Sequence, residues 1–312
     1  MERPNSERHW AVVLAGGDGT RLQELTREIT GAPIPKQYCR ILGERSMLQS
    51  TLVRTQHYVP LRRTLVVISS NHLDIARQQL AGLPSSNVLV QPCNRDTGPG
   101  LLFALLALAQ HAPTAIVSVF PSDHYVEDDR AFIAHVSHAA GVVARLPSKI
   151  ALLGIRPDRP EPGYGYIVPS APLGALWGNG STFHVASFRE KPSMEAARGL
   201  LGQGGLWNSF VMVFQIARML ELLRATVPAQ YEQMAALGQD PTLAADVYRD
   251  LQGWNFSSHF LMRIPNHLVV LQVDNVHWSD WGTRDAIERT FKRLTRRLPW
   301  KLGVAARSAA TG

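Results

Sequence analysis

Short apolar runs alternate with stretches of helical periodicity through the first half of the chain. Trp10 to Leu14 is apolar and bounded by glycines, which predicts a strand buried on both faces. Helical composition from Met47 to Tyr58 is followed by an apolar strand, Thr64 to Ser69, and a helix, Leu73 to Ala81. Val88 to Gln91 predicts a strand, Leu101 to Gln110 a helix, Ala115 to Phe120 a strand, Arg130 to Arg145 a helix, and Lys149 to Gly154 a strand. Strands that are apolar throughout mark burial under helices on both faces. The pattern therefore predicts an α/β fold built on a doubly wound, mostly parallel sheet. Right-handed crossovers put the strand-end loops on one edge, and open sheets of this kind bind ligands there.

The texture changes at Arg156. RPDRPEPGYGYIVPS and the glycine-rich stretch Leu173 to Gly180 predict β-hairpins inserted into the core. Thr182 to Phe188 and Trp207 to Phe214 predict further strands separated by a helix, Ser193 to Leu201. Helices are expected at Ile216 to Arg224, Ala229 to Leu237 and Leu243 to Leu251, then a late strand at Leu268 to Val273. An amphipathic helix, Arg284 to Leu298, closes the chain, with disorder expected after Lys301.

At 312 residues, 45% hydrophobic and 18% charged, the chain has the composition of a soluble globular protein with a large core. The polar opening MERPNSERH lacks the apolar segment of a signal peptide, and Leu101 to Ala109 is too short to span a bilayer. A cytoplasmic protein without a membrane partner is expected. Cys39 and Cys93 are too few for a metal quartet or a disulfide framework. A net charge of +7 is compatible with nucleic acid, anionic membrane or phosphorylated small molecules. Much of that charge lies in the last helix, at Arg284, Arg289, Lys292, Arg293, Arg296 and Arg297, with no interleaved aromatic platform for bases. A solvated helix face is the simpler account, an interface the alternative, and no nucleic-acid partner is expected.

Directly after the first strand, Gly16, Gly17 and Gly19 let the backbone lie flat against a ligand with its N–H groups free for anionic oxygens. Arg21 and Lys36 add cations that a triphosphate needs and a neutral ligand does not. The spacing matches neither the P-loop nor the dinucleotide fingerprint, since Leu22 stands where the third glycine of the latter belongs. An acid follows the strand that ends at Phe120: Asp123, at the ligand edge, suits Mg²⁺, which takes oxygen ligands.

LAGGDGTRL (Leu14 to Leu22) followed by PKQY (Pro35 to Tyr38) resembles the opening signature of sugar-1-phosphate nucleotidylyltransferases. The PKQ form is similar to the mannose-1-phosphate guanylyltransferase (GDP-mannose pyrophosphorylase) branch. Glu24 stands where that family usually has proline, and Ile29 to Ile34 lengthens the path to Lys36. PSDH resembles the family's P-A-D-H, whose Asp binds magnesium, and Trp278 to Gly282 resembles its second acidic motif, which makes Asp280 rather than Asp274 the partner ligand. FREKP implies Lys191 for the acceptor phosphate and Glu190 for a sugar hydroxyl. GYGYI implies close backbone approach to a hexose at Gly165, with its tyrosines left to hairpin packing, and WNS implies a sugar contact from Asn208.

QPCNRDTGPG resembles the base-recognition loop R-N-T-A-P-A, with Asp96 for Asn and with Gly98 and Gly100 for alanines. Asp96 faces either guanine N–H groups or a backbone amide. The resemblance implies a nucleotide site at Leu14, Ala15, Gly16, Gly17, Gly19, Thr20, Gln91, Asp96 and Thr97. It implies a Rossmann-like catalytic domain over 1–282, with sugar-binding insertions within 155–265, and a helix and tail over 283–312 that either pack on the core or mediate a homodimer. The implied reaction transfers a nucleotidyl group from GTP to mannose 1-phosphate with Mg²⁺. Another triphosphate or sugar phosphate, or a silent regulatory subunit, is the alternative.

Overall fold

A computed structural model describes residues 8–174 and 181–300. The tail after Lys301 and part of the glycine-rich stretch expected as a hairpin fall outside these residues. Nine strands form one sheet: β1 (His9–Ala15), β2 (Thr64–Ser69), β3 (Val88–Gln91), β4 (Ile116–Pro121), β5 (Ile150–Ile155), β6 (Tyr166–Pro172), β7 (Thr182–Arg189), β8 (Leu206–Gln215) and β9 (Leu268–Val273). Their order is β3-β2-β1-β4-β8-β5-β9-β7-β6, with β6 also paired to β8.

The sheet is mixed, which corrects the expectation of a mostly parallel one. Parallel pairing joins β1 to β2 and β4, β2 to β3, and β5 to β9. Antiparallel pairing joins β8 to β4, β5 and β6, and β7 to β6 and β9. The physical reason is that an apolar run reports burial on both faces but not strand direction. β8 is as apolar as its neighbours, yet it runs between β4 and β5 against both.

Alternate residues of β1 feed two cores. Val12 packs with α4 (Thr97–Ala109), where Leu101 to Leu106 are buried, while Ala11 and Val13 pack with α2 (Met47–Gln56) and α5 (Asp129–Arg145). A third cluster covers the carboxyl edge: Leu22 and Leu25, the latter on α1 (Gln23–Thr30), meet Ile287 and Phe291 of α11 (Arg284–Arg293) around Trp281. The stretch that lengthens the path to Lys36 begins in the last turn of α1, which Gly31, at φ 82°, ends in a left-handed C-cap. The remaining helices are α3 (Leu73–Gln79), α6 (Met194–Gly202), α7 (Ile216–Thr226), α8 (Pro228–Met234), α9 (Ala244–Asp250) and α10 (Phe256–His259). Among the described residues no helix is long and apolar enough to cross a membrane.

The basic face of α11 is partly committed. Arg284 bonds Glu28 and approaches Glu288, and Arg293 pairs with Glu127. Both Cys39 and Cys93 are free thiols, and burial pushes that of Cys39 up to about 11.

At the start of β1, His9 is buried between the Ser118 hydroxyl (3.1 Å) and the Tyr58 hydroxyl (3.2 Å). Burial, then Arg63, lowers its pKa to about 4. An unfolded histidine takes a proton near pH 6.5, so the folded state loses stability as pH falls from about 6.5 to 4, by roughly 3 kcal/mol in full. His9→Gln keeps the hydrogen-bonding capacity and removes the titration. Denaturant midpoints at pH 7 and pH 4.5 should fall less in this variant than in the parent chain.

Candidate active site

The glycine turn, the loops after β3, β4, β5, β7 and β9, and residues of β8 enclose one cleft of about 570 Å³ at the carboxyl edge. It collects Leu14, Gly16, Gly17, Gly19, Thr20, Arg21, Lys36, Gln91, Asp96, Thr97, Asp123, Gly165, Glu190, Lys191, Asn208 and Asp280. Of the residues named from sequence only Ala15 does not line it. Ala15 is buried, and its carbonyl accepts hydrogen bonds from Gln37 Nε2 (3.1 Å) and the Tyr38 hydroxyl (3.0 Å). Gln37 Nε2 also donates to the Gly17 carbonyl at 2.6 Å. The PKQY segment thus clamps the glycine turn from beneath, a role its sequence did not signal. Gly16 is required on packing grounds as well, because a Cβ there would stand 2.1 Å from Gln91 Nε2.

Lys36 is only 5% exposed. Its ammonium donates to Asp123 Oδ2 at 3.1 Å and to the main-chain carbonyls of Asp280 (2.5 Å) and Trp281 (3.0 Å). A lysine has three N–H donors, so all three have partners within the chain. Asp280 Oδ1 accepts from the Tyr164 hydroxyl and from Gly282 N–H, both at 2.8 Å, which leaves Oδ2 with no hydrogen bond among the described residues. Burial, and next the Asp280 charge, raise the pKa of Tyr164, so its hydroxyl keeps the proton it donates. Tyr164 therefore does more than pack a hairpin. Only the structure reveals that it orients an acid 116 residues away.

Burial pushes Asp123 upward, but Lys36, His124 and hydrogen bonds outweigh it and hold the carboxyl below the usual carboxylate range. His124 Nε2 lies 3.8 Å from Asp123 Oδ1, and its ring meets Trp278 edge-on at 5.1 Å. Burial lowers the pKa of His124 against the pull of Asp123 and Asp280. The two carboxylates suit a hard divalent cation. Among the described residues no cluster of three or more His, Cys, Asp or Glu could hold a metal, so phosphate oxygens and water would have to complete its shell. Asp274 lies elsewhere, bound to Arg156 (2.7 Å) and Gln272 (2.9 Å).

Around the acceptor residues the backbone is strained. Lys191 (φ 44°) and Phe210 (φ 58°) are left-handed, as are Asp96 (φ 70°) and Trp281 (φ 47°), a conformation rare outside glycine and concentrated at functional sites. Asn208 Oδ1 accepts from Phe210 N–H at 3.1 Å and supports that turn, which accounts for an asparagine inside a strand. Gly165 gives room to Glu190, whose Oε2 would lie 2.7 Å from a Cβ there. Burial raises the pKa of Glu190 against the effect of Lys191. Arg21 and Lys191 are exposed in the cleft.

The sequence matches the family described as Nucleotidyl transferase over residues 10–297. The chain belongs to that family. The xanthan biosynthesis protein XanB of Xanthomonas campestris pv. campestris (strain B100) is 38% identical over 221 residues, or 70% of this chain and 44% of that protein. A mannose-1-phosphate guanylyltransferase of Escherichia coli (strain K12) is 34% identical over 224 residues, 70% of this chain and 45% of its own length. The chain thus spans less than half the length of these two curated relatives. A crystal structure from Thermus thermophilus, described as mannose-1-phosphate geranyltransferase, superposes with a TM-score of 0.78 at 30% identity, over 91% of this chain and 79% of the other. An inositol-1-phosphate CTP transferase from T. maritima, 12% identical with a TM-score of 0.53 over 89% and 91% of the two chains, shares the fold alone.

In the loop after β3, Asp96 caps α4: its Oδ1 accepts from Thr97 N–H at 2.6 Å. The backbone-amide contact expected for this carboxylate is made through Oδ1. Gly98, standing where the family's loop has alanine, is explained by Trp254, since a Cβ at Gly98 would lie 2.3 Å from the indole. Gly98→Ala should overpack this contact and cost about 1–3 kcal/mol, read as a lower melting temperature. Adding Trp254→Leu should recover part of the loss.

Proposed function

We propose that the chain is a sugar-1-phosphate nucleotidyltransferase that joins mannose 1-phosphate to GTP, forming GDP-mannose and pyrophosphate. The observation that carries this reading is the gathering of Asp123 and Asp280 on the Lys36 ammonium, in the cleft that also holds the glycine turn, Glu190, Lys191 and Asn208. The names of the guanylyltransferase relatives support the choice of nucleotide and sugar.

Chemically, a phosphate oxygen of the sugar phosphate attacks the α-phosphorus of the triphosphate, and the bond from that phosphorus to the pyrophosphate oxygen breaks. A phosphate monoester is already ionised at neutral pH, so no general base is needed. The obstacle is repulsion between two polyanions, and the remedy is charge neutralisation with alignment. Asp123 and Asp280 would hold a Mg²⁺ ion, which would supply positive charge against the substrates' phosphates. Tyr164 and Gly282 fix the orientation of Asp280, and Lys36 holds the two acidic loops together. The N–H groups of the glycine turn and the exposed Arg21 receive the triphosphate, and the leaving pyrophosphate departs against that charge. Lys191 orients the attacking phosphate, while Glu190 and Asn208 contact the sugar.

A panel of nucleoside triphosphates against hexose 1-phosphates, read by pyrophosphate release with Mg²⁺ and with EDTA, should give its strongest signal for GTP with mannose 1-phosphate. No metal-dependent release from any pair would sink the reading. Asp123→Asn and Asp280→Asn should each lower turnover by roughly 100-fold or more, and full activity at saturating Mg²⁺ would remove that residue from the mechanism. Lys191→Ala should mainly raise KM for the sugar phosphate; an unchanged sugar-phosphate dependence contradicts its role.

A further inference from the structure

The segment 253–257 carries none of the motifs read from the sequence, yet it touches both halves of the cleft. Trp254 N–H donates to the Arg95 carbonyl at 3.2 Å, and Gly98 N–H returns a bond to the Trp254 carbonyl at 3.0 Å. A Cβ at Gly253 would stand 3.1 Å from the Arg95 carbonyl oxygen, so glycine admits this clasp. Asn255 Nδ2 donates to Asp96 Oδ1 at 3.3 Å, and Phe256 N–H donates to Thr97 Oγ1 at 3.0 Å. One residue further on, Ser257 is 3% exposed and lines the cleft with Glu190.

The segment is also anchored. Trp254 stacks on Phe256 at 6.2 Å, Phe256 tilts against Phe260 at 4.9 Å, and all three belong to the core beneath α4. Such an anchor fixes a spacing, because interior side chains are close-packed and do not yield gradually.

We propose that 253–257 is a strap that sets the spacing between the nucleotide loop and the sugar-phosphate residues, with Asn255 as the positioning residue for Asp96 and Ser257 as the positioning residue for Glu190. This deepens the two-substrate reading above and rests on it. Neither side chain takes part in bond making; each holds a residue that touches a substrate.

Titration calorimetry with GTP and with mannose 1-phosphate, separately and with MgCl₂, tests the strap without requiring turnover. Asn255→Ala should weaken GTP binding roughly tenfold, the scale of one hydrogen bond to a charged group, and leave mannose 1-phosphate binding unchanged. Ser257→Ala should do the reverse. In steady state, the acid limb of its kcat/KM profile for the sugar phosphate should move to higher pH. Glu190 faces Ser257, Lys191 and Asp96, and it loses the Ser257 hydroxyl that favours its anion; Ser257→Thr should restore the parent profile. Equal weakening of both ligands together with a lower melting temperature, or no change in either variant, overturns the strap. A parent chain that binds both ligands but releases no pyrophosphate overturns the proposed reaction and leaves the strap standing. One that binds neither overturns both.

Discussion

The site depends on keeping two acidic loops together in a shielded place. Asp123 follows β4 and Asp280 follows β9, and in the sheet β8 and β5 separate those strands. Carboxylates so gathered repel unless a cation intervenes, and the chain provides one in Lys36, which meets one acid through its side chain and the other through its main chain. The pairing is asymmetric. Asp123 gives Lys36 an oxygen and is held ionised, whereas Asp280 gives it only a carbonyl and leaves its carboxylate to Tyr164 and Gly282. The arrangement preserves ligand capacity on both acids while satisfying a buried ammonium, which would otherwise carry a heavy desolvation cost.

Much of this was legible in the sequence. β2, β3 and β9 stand where their apolar runs placed them, and the acidic and glycine motifs converge on one cleft despite separations of more than 200 residues. Strand direction was not legible, because the interior of β8 reads as apolar whichever way it runs. Nor were the supports of the site. Tyr164, Gln37 and Trp254 act through contacts with residues distant in sequence, and neither composition nor local periodicity encodes such partners. The glycine for alanine at Gly98 carried no explanation in the sequence, and it is the imprint of a tryptophan 156 positions later.

Both ends of the cleft share this economy of support. The glycine turn is held by the amide of Gln37, Asp280 by a phenol, the nucleotide loop by an anchored strap, and Glu190 by a backbone that carries no side chain at Gly165. In the proposed reaction each residue aimed at a substrate is thus fixed beforehand, which is how a preorganised site avoids reorganising.

The Lys36 contacts also constrain the order in which the protein is made. The ammonium must wait for partners 244 and 245 residues downstream, on a loop reached only after β9 and every strand before it have been synthesised. Contacts of such long range carry a large closure entropy and form late. A nascent chain still short of Asp280 on the ribosome therefore holds a half-built cradle in which the lysine lacks two of its three acceptors.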